Sequence, residues 1–142
     1  MKLLSIFFLS LLVSGNTWVL DFKQAETEAK QSHKYILINF SGSDWCGPCI
    51  RTHKEIFEKD AFENYANKNL ILVRADFPRL KKNQLSAEQL KKNNDLAVKY
   101  NPDGDFPLTV LTDENGKVIK EWKGFPDCSP EDFVKKVENA IN

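Results

Sequence analysis

The hydrophobic pattern along the chain alternates between amphipathic stretches and short, continuously apolar runs. Residues 21–34 place apolar side chains three and four positions apart, which predicts an amphipathic helix. The runs 35–40 and 70–76 are apolar, short and rich in β-branched residues, so they predict two buried strands. Between them we expect a helix over about 46–58 and a further helical turn over 61–67. This half of the chain therefore predicts a β-α-β unit with parallel strands.

The second half of the chain begins with a polar, lysine-rich stretch and continues with alternating helices and strands. We expect, in chain order, a polar surface insert at about 77–94, a short helix at 94–100, strands at 108–112 and 117–122, and a closing helix that begins after Ser129. The dipeptide Asn115-Gly116 between the two strands is a strong signal for a tight hairpin turn. The whole order predicts an α/β fold with a mixed central sheet, flanked by helices on both faces.

The N-terminal residues differ from the rest of the chain in composition. Lys2 is followed by an almost wholly apolar run at 3–13 and by two small residues, a pattern typical of a signal peptide that is cleaved near Gly15. The run is too short for an ordinary membrane span, although an uncleaved anchor and an N-terminal core segment are the alternatives. We therefore expect a signal peptide at 1–15, one domain at 16–142, and an exported protein that is either periplasmic or secreted.

Composition and charge narrow the classes of partner. The 142 residues suit one domain, and one small domain suggests a monomer. Lys and Arg together number 20, as do Asp and Glu, so the formal net charge is zero and neither nucleic acid nor an anionic membrane surface is an expected partner. The odd cysteine, Cys128, stands before the closing helix. We expect a partly buried free thiol there, with a regulatory or intermolecular thiol as the alternative.

Two cysteines three positions apart, Cys46 and Cys49, follow the first predicted strand where a helix is predicted to begin. Such a pair forms half of a zinc site, a structural disulfide or a redox centre. A closed zinc site needs two more ligands, and the chain offers only Cys128, His33 and His53, with no second pair at this spacing. A structural disulfide across so small a loop stabilises little. The pattern therefore favours a redox centre, and we expect no metal and no cofactor.

The predicted position of the pair indicates how it would exchange disulfides. Unpaired backbone N–H groups and the helix dipole at a helix start favour a thiolate at Cys46, and the thiolate is the attacking species. Cys49 lies one turn deeper on the same helix face, from which it can reach a sulfur bonded to Cys46. Pro48 falls in the first turn, where its missing N–H costs little.

The sequence WCGPC at 45–49 resembles the active-site motif of the thioredoxin family. As in that family, it follows a buried strand and is followed, after a helix and a strand, by Phe106-Pro107 ahead of another strand and an Asn-Gly hairpin. The resemblance covers about residues 20–142. The export signal and the loop before the motif are most similar to envelope members of the family, such as the C-terminal domain of the transmembrane thiol–disulfide transporter. The resemblance implies a thioredoxin-like fold and a thiol–disulfide oxidoreductase.

The resemblance also implies a role for each matched residue. Cys46 would be the exposed nucleophile, and Cys49 would be the buried resolving thiol. The residues that bind substrate would be Trp45, Gly47, Pro48, Phe106 and Pro107. Pro107 would be a cis-proline that faces the cysteines, and the backbone of Phe106 would pair with an extended substrate segment.

Several positions depart from the family's pattern. Asn39 stands where thioredoxins usually carry a buried aspartate, and an amide cannot accept a proton from the resolving thiol, so Asp44 or a water is expected to substitute. The helix proline that usually follows the second cysteine is absent from 52–54, which predicts a straighter helix. His53 in that stretch is a candidate for tuning the thiols, with a half-exposed helix residue as the alternative. Phe106 is bulkier than usual, which predicts a different choice of substrate.

Reduction of protein disulfides is the direction that the motif predicts, because Gly-Pro between the cysteines resembles reducing thioredoxins. An exported reductant needs electrons, so we expect a membrane thiol–disulfide electron donor as a partner beside the disulfide-containing protein substrates. The alternatives are the same chemistry run as an oxidase or isomerase, and a peptide-binding module without redox turnover.

Overall fold

The computed structural model describes residues 17–142, so the signal peptide predicted at 1–15 lies outside the described residues. In that range the elements are α1 (Phe22–Ser32), β1 (Tyr35–Ser41), α2 (Gly47–Thr52), α3 (Asp60–Asn69), β2 (Leu70–Asp76), α4 (Ala87–Tyr100), β3 (Leu108–Thr112), β4 (Val118–Lys123) and α5 (Pro130–Ile141). A π-helical turn, His53–Phe57, extends α2, and a short 3₁₀ turn, Lys81–Asn83, precedes α4. Among these helices none is long and apolar enough to cross a membrane.

The strands form one mixed sheet in the order β2-β1-β3-β4. β1 and β2 run parallel, with Asn39 opposite Arg74, while β3 is antiparallel to both β1 and β4. Outside β2, the segment before α1 adds a short parallel bridge in which the Val19 N–H donates to the Leu72 carbonyl at 2.7 Å. The mixed central sheet predicted from the sequence is confirmed.

Strand alternation divides the buried side chains between two cores, one on each face of the sheet. On one face α1 and α4 pack against the strands, with Ala25 and Tyr100 in the buried cluster. On the other face the π-helical turn, α3 and α5 bring together the aromatic rings of Phe57, Phe62 and Phe133. Helices on both faces confirm the predicted fold class.

Helix α4 is twice as long as the sequence pattern predicted. It begins at Ala87, where the Ser86 hydroxyl caps the helix by accepting the Gln89 N–H at 3.1 Å. The sequence analysis placed the boundary between a surface insert, 77–94, and a short helix, 94–100, at residue 94. That boundary is wrong, because α4 already begins at Ala87 and only 77–86 lies outside it. The reason is that α4 buries a narrow side that includes the polar Asn93, so its lysine-rich surface hid the helical period.

The helix predicted at about 46–58 has the expected length but is not a uniform α-helix. The His53 N–H donates to the carbonyls of both Cys49 and Ile50, and the Glu58 N–H reaches the His53 carbonyl at 2.9 Å. This spacing of five residues makes a π-helical turn, a feature often found next to functional sites. From the absence of the family's helix proline at 52–54, the sequence analysis predicted a straighter helix. The helix instead widens there into a π-helical turn.

Candidate active site

Cys46 and Cys49 form a disulfide at the start of α2, just beyond the end of β1. Their Cα atoms are 5.2 Å apart, and Cys46 is the N-cap residue of the helix, at the helix start that the sequence predicted. The resemblance implied an exposed Cys46, but its side chain is 5% exposed and that of Cys49 is 3% exposed. Cys46 is buried in this oxidised state because its sulfur is bonded to Cys49 and also receives a backbone N–H.

Backbone N–H groups point at both sulfurs of the disulfide. The Cys49 N–H donates to Cys46 Sγ at 3.2 Å, and the Gly42 N–H donates to Cys49 Sγ at 3.5 Å. The loop is held in this shape because the Cys46 N–H in turn donates to the Gly42 carbonyl at 2.9 Å. Donors at these positions stabilise negative charge on sulfur, and a thiolate is the species that exchanges disulfides.

Trp45 is fixed in place by the chain segment that follows β2. Its indole N–H donates to the Phe77 carbonyl at 2.7 Å, and the guanidinium of Arg79 lies 3.7 Å from the centre of its ring. Phe106 meets the ring edge-on at a centroid distance of 5.6 Å. Trp45 therefore forms a rigid apolar wall directly before the first cysteine.

Phe106 packs against both Trp45 and Phe77, and Pro107 follows it directly before β3. The peptide bond between Phe106 and Pro107 is cis, the isomer that the resemblance implied at this position. Pro107 is buried, and its carbonyl accepts the Gly124 N–H at 2.8 Å. Gly47 and Pro48 are exposed on the first turn of α2. An exposed first turn beside these aromatic rings offers a surface against which an extended polypeptide can lie.

The sequence analysis named Asp44 as a substitute proton acceptor for the resolving thiol, but the Asp44 carboxylate is engaged by residues 79–83. Its carboxylate accepts the backbone N–H groups of Arg79 and Leu80, both at 2.9 Å, and the Asn83 side-chain amide at 3.0 Å. These hydrogen bonds, the one from Arg79 foremost, lower the pKa of Asp44. Asp44 therefore anchors residues 79–83 beside the active site as a carboxylate.

A row of polar residues crosses the sheet on the face that carries α2. Asn39 on β1 lies between Arg74 on β2 and Thr109 on β3 in the strand register. Asn39 is buried, and its side-chain amide donates to Thr109 Oγ1 at 3.2 Å. The amide of Asn39 therefore takes part in the hydrogen bonds across the sheet as a donor.

A small cavity of about 150 Å³ lies behind the disulfide, and Cys49, His53 and Arg74 are among its lining residues. The Arg74 guanidinium contacts the ring of His53, and Trp18 packs on both side chains. Burial, followed by the nearby charge of Arg74, lowers the pKa of His53 to about 4. His53 is therefore a neutral, half-buried imidazole near pH 7, one turn along the helix from Cys49.

Residues 17–142 bring together no cluster of His, Cys, Asp or Glu side chains that would hold a metal ion. Cys128 is a free, partly exposed thiol whose pKa is raised, chiefly by burial. Three residues near the disulfide were missed in the sequence: Arg74, Phe77 and Arg79. A charged residue inside the apolar strand 70–76 was an available signal for Arg74, whereas nothing local marked the other two.

A family model for thioredoxin-like domains matches residues 22–141. The chain belongs to the thioredoxin-like family. Among curated relatives, the disulfide bond reductase DsbH of Chlamydia pneumoniae is 36% identical over 120 residues, which cover 84% of this chain and 70% of DsbH. The thioredoxin-related protein DsbJ of the same organism is 32% identical over 82 residues, 58% of this chain but 22% of DsbJ.

A solved structure of the DsbH oxidoreductase agrees with this thioredoxin-like assignment. It superposes with a TM-score of 0.81 at 32% sequence identity, covering 99% of this chain and 94% of that one. The thioredoxin-like chain is thus a homologue of DsbH, and its Cys46–Cys49 pair fits thiol–disulfide exchange.

Proposed function

We propose that this thioredoxin-like protein is exported and reduces protein disulfides through Cys46 and Cys49. The observation that carries the proposal is the disulfide at the start of α2, with a backbone N–H directed at each of its sulfurs. The homologue DsbH, named as a disulfide bond reductase, supports the same direction.

The proposed reaction proceeds in two exchange steps from the reduced protein. The Cys46 thiolate attacks a substrate disulfide, forms a mixed disulfide with one substrate sulfur, and releases the other as a thiolate that takes a proton. The Cys49 thiolate then attacks Cys46 Sγ, forms the Cys46–Cys49 bond and releases the second substrate sulfur as a thiol. The substrate gains two electrons and two protons, and the protein loses both.

Each remaining site residue has a role in placing the substrate. Trp45 and Phe106 form the apolar wall, and Gly47 and Pro48, exposed on the first turn of α2, would contact the substrate next to the first cysteine. The backbone before the cis-proline Pro107 would pair with the extended substrate segment.

The reduced state must be restored by a dithiol donor, and for an exported protein we propose a membrane thiol–disulfide electron donor. Export itself rests on the signal-peptide pattern at 1–15, and a monomer on the single small domain. Expression of the full chain in bacteria, followed by periplasmic fractionation and N-terminal sequencing, tests export. A product that keeps residues 1–15 and stays in the cytoplasm would contradict it.

Insulin reduction with dithiothreitol as the electron source tests the activity. We expect turnover by the wild-type protein and by Cys128→Ser, and none above background by Cys46→Ser. A Cys46→Ser protein that reduces insulin at the wild-type rate, or a wild-type protein that only binds peptide, would refute the proposal. Equilibration with glutathione gives the direction, since thioredoxin has a potential of about −270 mV and a strong oxidant of the same fold about −120 mV.

A further inference from the structure

The second exchange step requires that Cys49 lose its proton inside the protein. Cys49 is 3% exposed, and burial without a compensating charge raises the pKa of a thiol. Asn39 stands where thioredoxins usually carry a buried aspartate, but its amide donates to Thr109 and cannot accept the proton. The carboxylate of Asp44, which the sequence analysis named as a substitute, is held by residues 79–83.

Arg74 is a half-buried cation that borders the cavity behind the disulfide. Strand alternation places it on the same face of β2 as Leu72, under α2, and it lines the cavity of about 150 Å³ together with Cys49. Its Nε atom is buried and has no hydrogen-bond partner among residues 17–142. A guanidinium with an unused donor therefore borders the same small space as the resolving cysteine.

Among the titratable groups that line the cavity, Arg74 is the positive charge that is partly shielded from solvent. His53 is neutral near pH 7, since its pKa is lowered to about 4. Asp76 is an anion in range of Arg74, but its carboxylate accepts three hydrogen bonds, from Ser43 and from the Phe77 N–H. The remaining two, Lys54 and Glu58, are exposed and opposite in sign, so solvent screens both.

We propose that Arg74 stabilises the thiolate of Cys49 across this cavity and so enables the resolving step, an inference that rests on the proposed function. Cys49 gives its proton to solvent through the cavity, which is partly open to solvent and large enough to admit water. The thiolate then forms the bond to Cys46 Sγ as the bond from Cys46 to the substrate sulfur breaks. Arg74 does not contact the substrate. It acts on the charge of Cys49 electrostatically, at a step for which thioredoxins usually carry a buried aspartate.

The test measures the pKa of Cys49 directly. In a Cys46→Ser, Cys128→Ser background Cys49 is the sole thiol, and thiolate absorbance at about 240 nm is followed against pH. Arg74→Met removes the charge and keeps the apolar stem, and it is expected to raise the pKa of Cys49 by about one unit. Arg74→Lys keeps the charge and is expected to restore at least half of that difference.

Arg51→Met is the matched control, because it removes an exposed arginine from α2 itself. We expect it to change the pKa of Cys49 by less than about 0.3 unit, since solvent screens an exposed charge. The proposal is overturned if Arg74→Met leaves the pKa unchanged, or if Arg51→Met shifts it equally. A merely structural role for Arg74 would lower the melting temperature and leave the pKa where it was.

The pKa of Cys49 in the parent background, with Arg74 in place, is a second measurement that needs no charge-removing variant. If Arg74→Met does not fold, a Cys49 pKa at or below about 8.5 in the parent background supports the proposal despite burial, and a higher value overturns it. The titration uses no substrate. A wild-type protein that fails to reduce insulin therefore defeats the proposed function alone, and an unshifted pKa defeats this inference alone.

Discussion

The lowered pKa of His53 predicts that the protein loses stability in mildly acidic solution. The folded state keeps the imidazole neutral down to about pH 4, because burial and the charge of Arg74 oppose protonation, whereas the unfolded chain binds the proton near 6.5. The free energy of unfolding is therefore fully retained above pH 6.5 and falls as the pH drops from 6.5 towards 4. The difference of about 2.5 pH units corresponds to about 3.4 kcal/mol, which partial exposure reduces to roughly 1–2 kcal/mol.

Urea unfolding followed by circular dichroism at pH 7.5, 6.5, 5.5 and 4.5 measures this loss. His53→Gln removes the titrating group and is expected to flatten the profile, whatever its effect on stability at pH 7.5. His33→Asn is the matched control, since it removes an exposed histidine and Asn tolerates the left-handed backbone found there. Carboxylates with lowered pKa values, such as Asp44, lose their contribution only below about pH 4. A flat wild-type profile, or a slope that survives in His53→Gln, would refute the reasoning.

Two further predictions concern the loop that carries the cysteines. In Gly42→Ala the new Cβ would overlap the Trp45 indole, which its hydrogen bond and ring contacts hold in place, so we expect a loss of about 1–3 kcal/mol in urea unfolding. Gly47→Ala is the control because a Cβ there meets nothing within 4 Å, and equal losses in both variants would contradict the steric argument. In Asp44→Ala the backbone N–H groups of Arg79 and Leu80 lose their acceptor, so hydrogen exchange at 79–83 should accelerate while exchange in the sheet stays unchanged. Protection retained at 79–83 in that variant would show that other contacts hold the segment.

Local patterns along the chain were sufficient for the parts of the fold that local physics controls. A strand covered on both faces is predominantly apolar, which is why 35–40 and 70–76 were predicted correctly despite Asn39 and Arg74. A helix start requires only neighbouring residues, so the helix start at Cys46 and the cap Ser129 before the closing helix were also accessible. The pair at 46 and 49, with its spacing and its Gly-Pro insert, is the chemical signal that the sequence carries alone.

The hydrophobic pattern did not reveal the first half of α4, because the buried side of this helix is narrow and includes a polar residue. Asn93 donates to the Asp76 carbonyl at 2.8 Å, and so occupies a core position that hydrophobic periodicity cannot recognise. A tertiary hydrogen bond thus decided where the helix packs. The stretch 77–86 was expected to be an insert on the surface, and it instead supports the active site through the contacts of Trp45 and Asp44.

The sequence by itself therefore determined the fold class, the cysteine pair and its place at a helix start. Only the tertiary structure decided what surrounds the pair. Arg74 reaches the cavity behind Cys49 because the parallel register sets it opposite Asn39, and His53 meets it because the helix widens at that turn. Contacts of this kind join residues far apart in the chain, and their geometry depends on strand register and helix packing, which local composition does not encode.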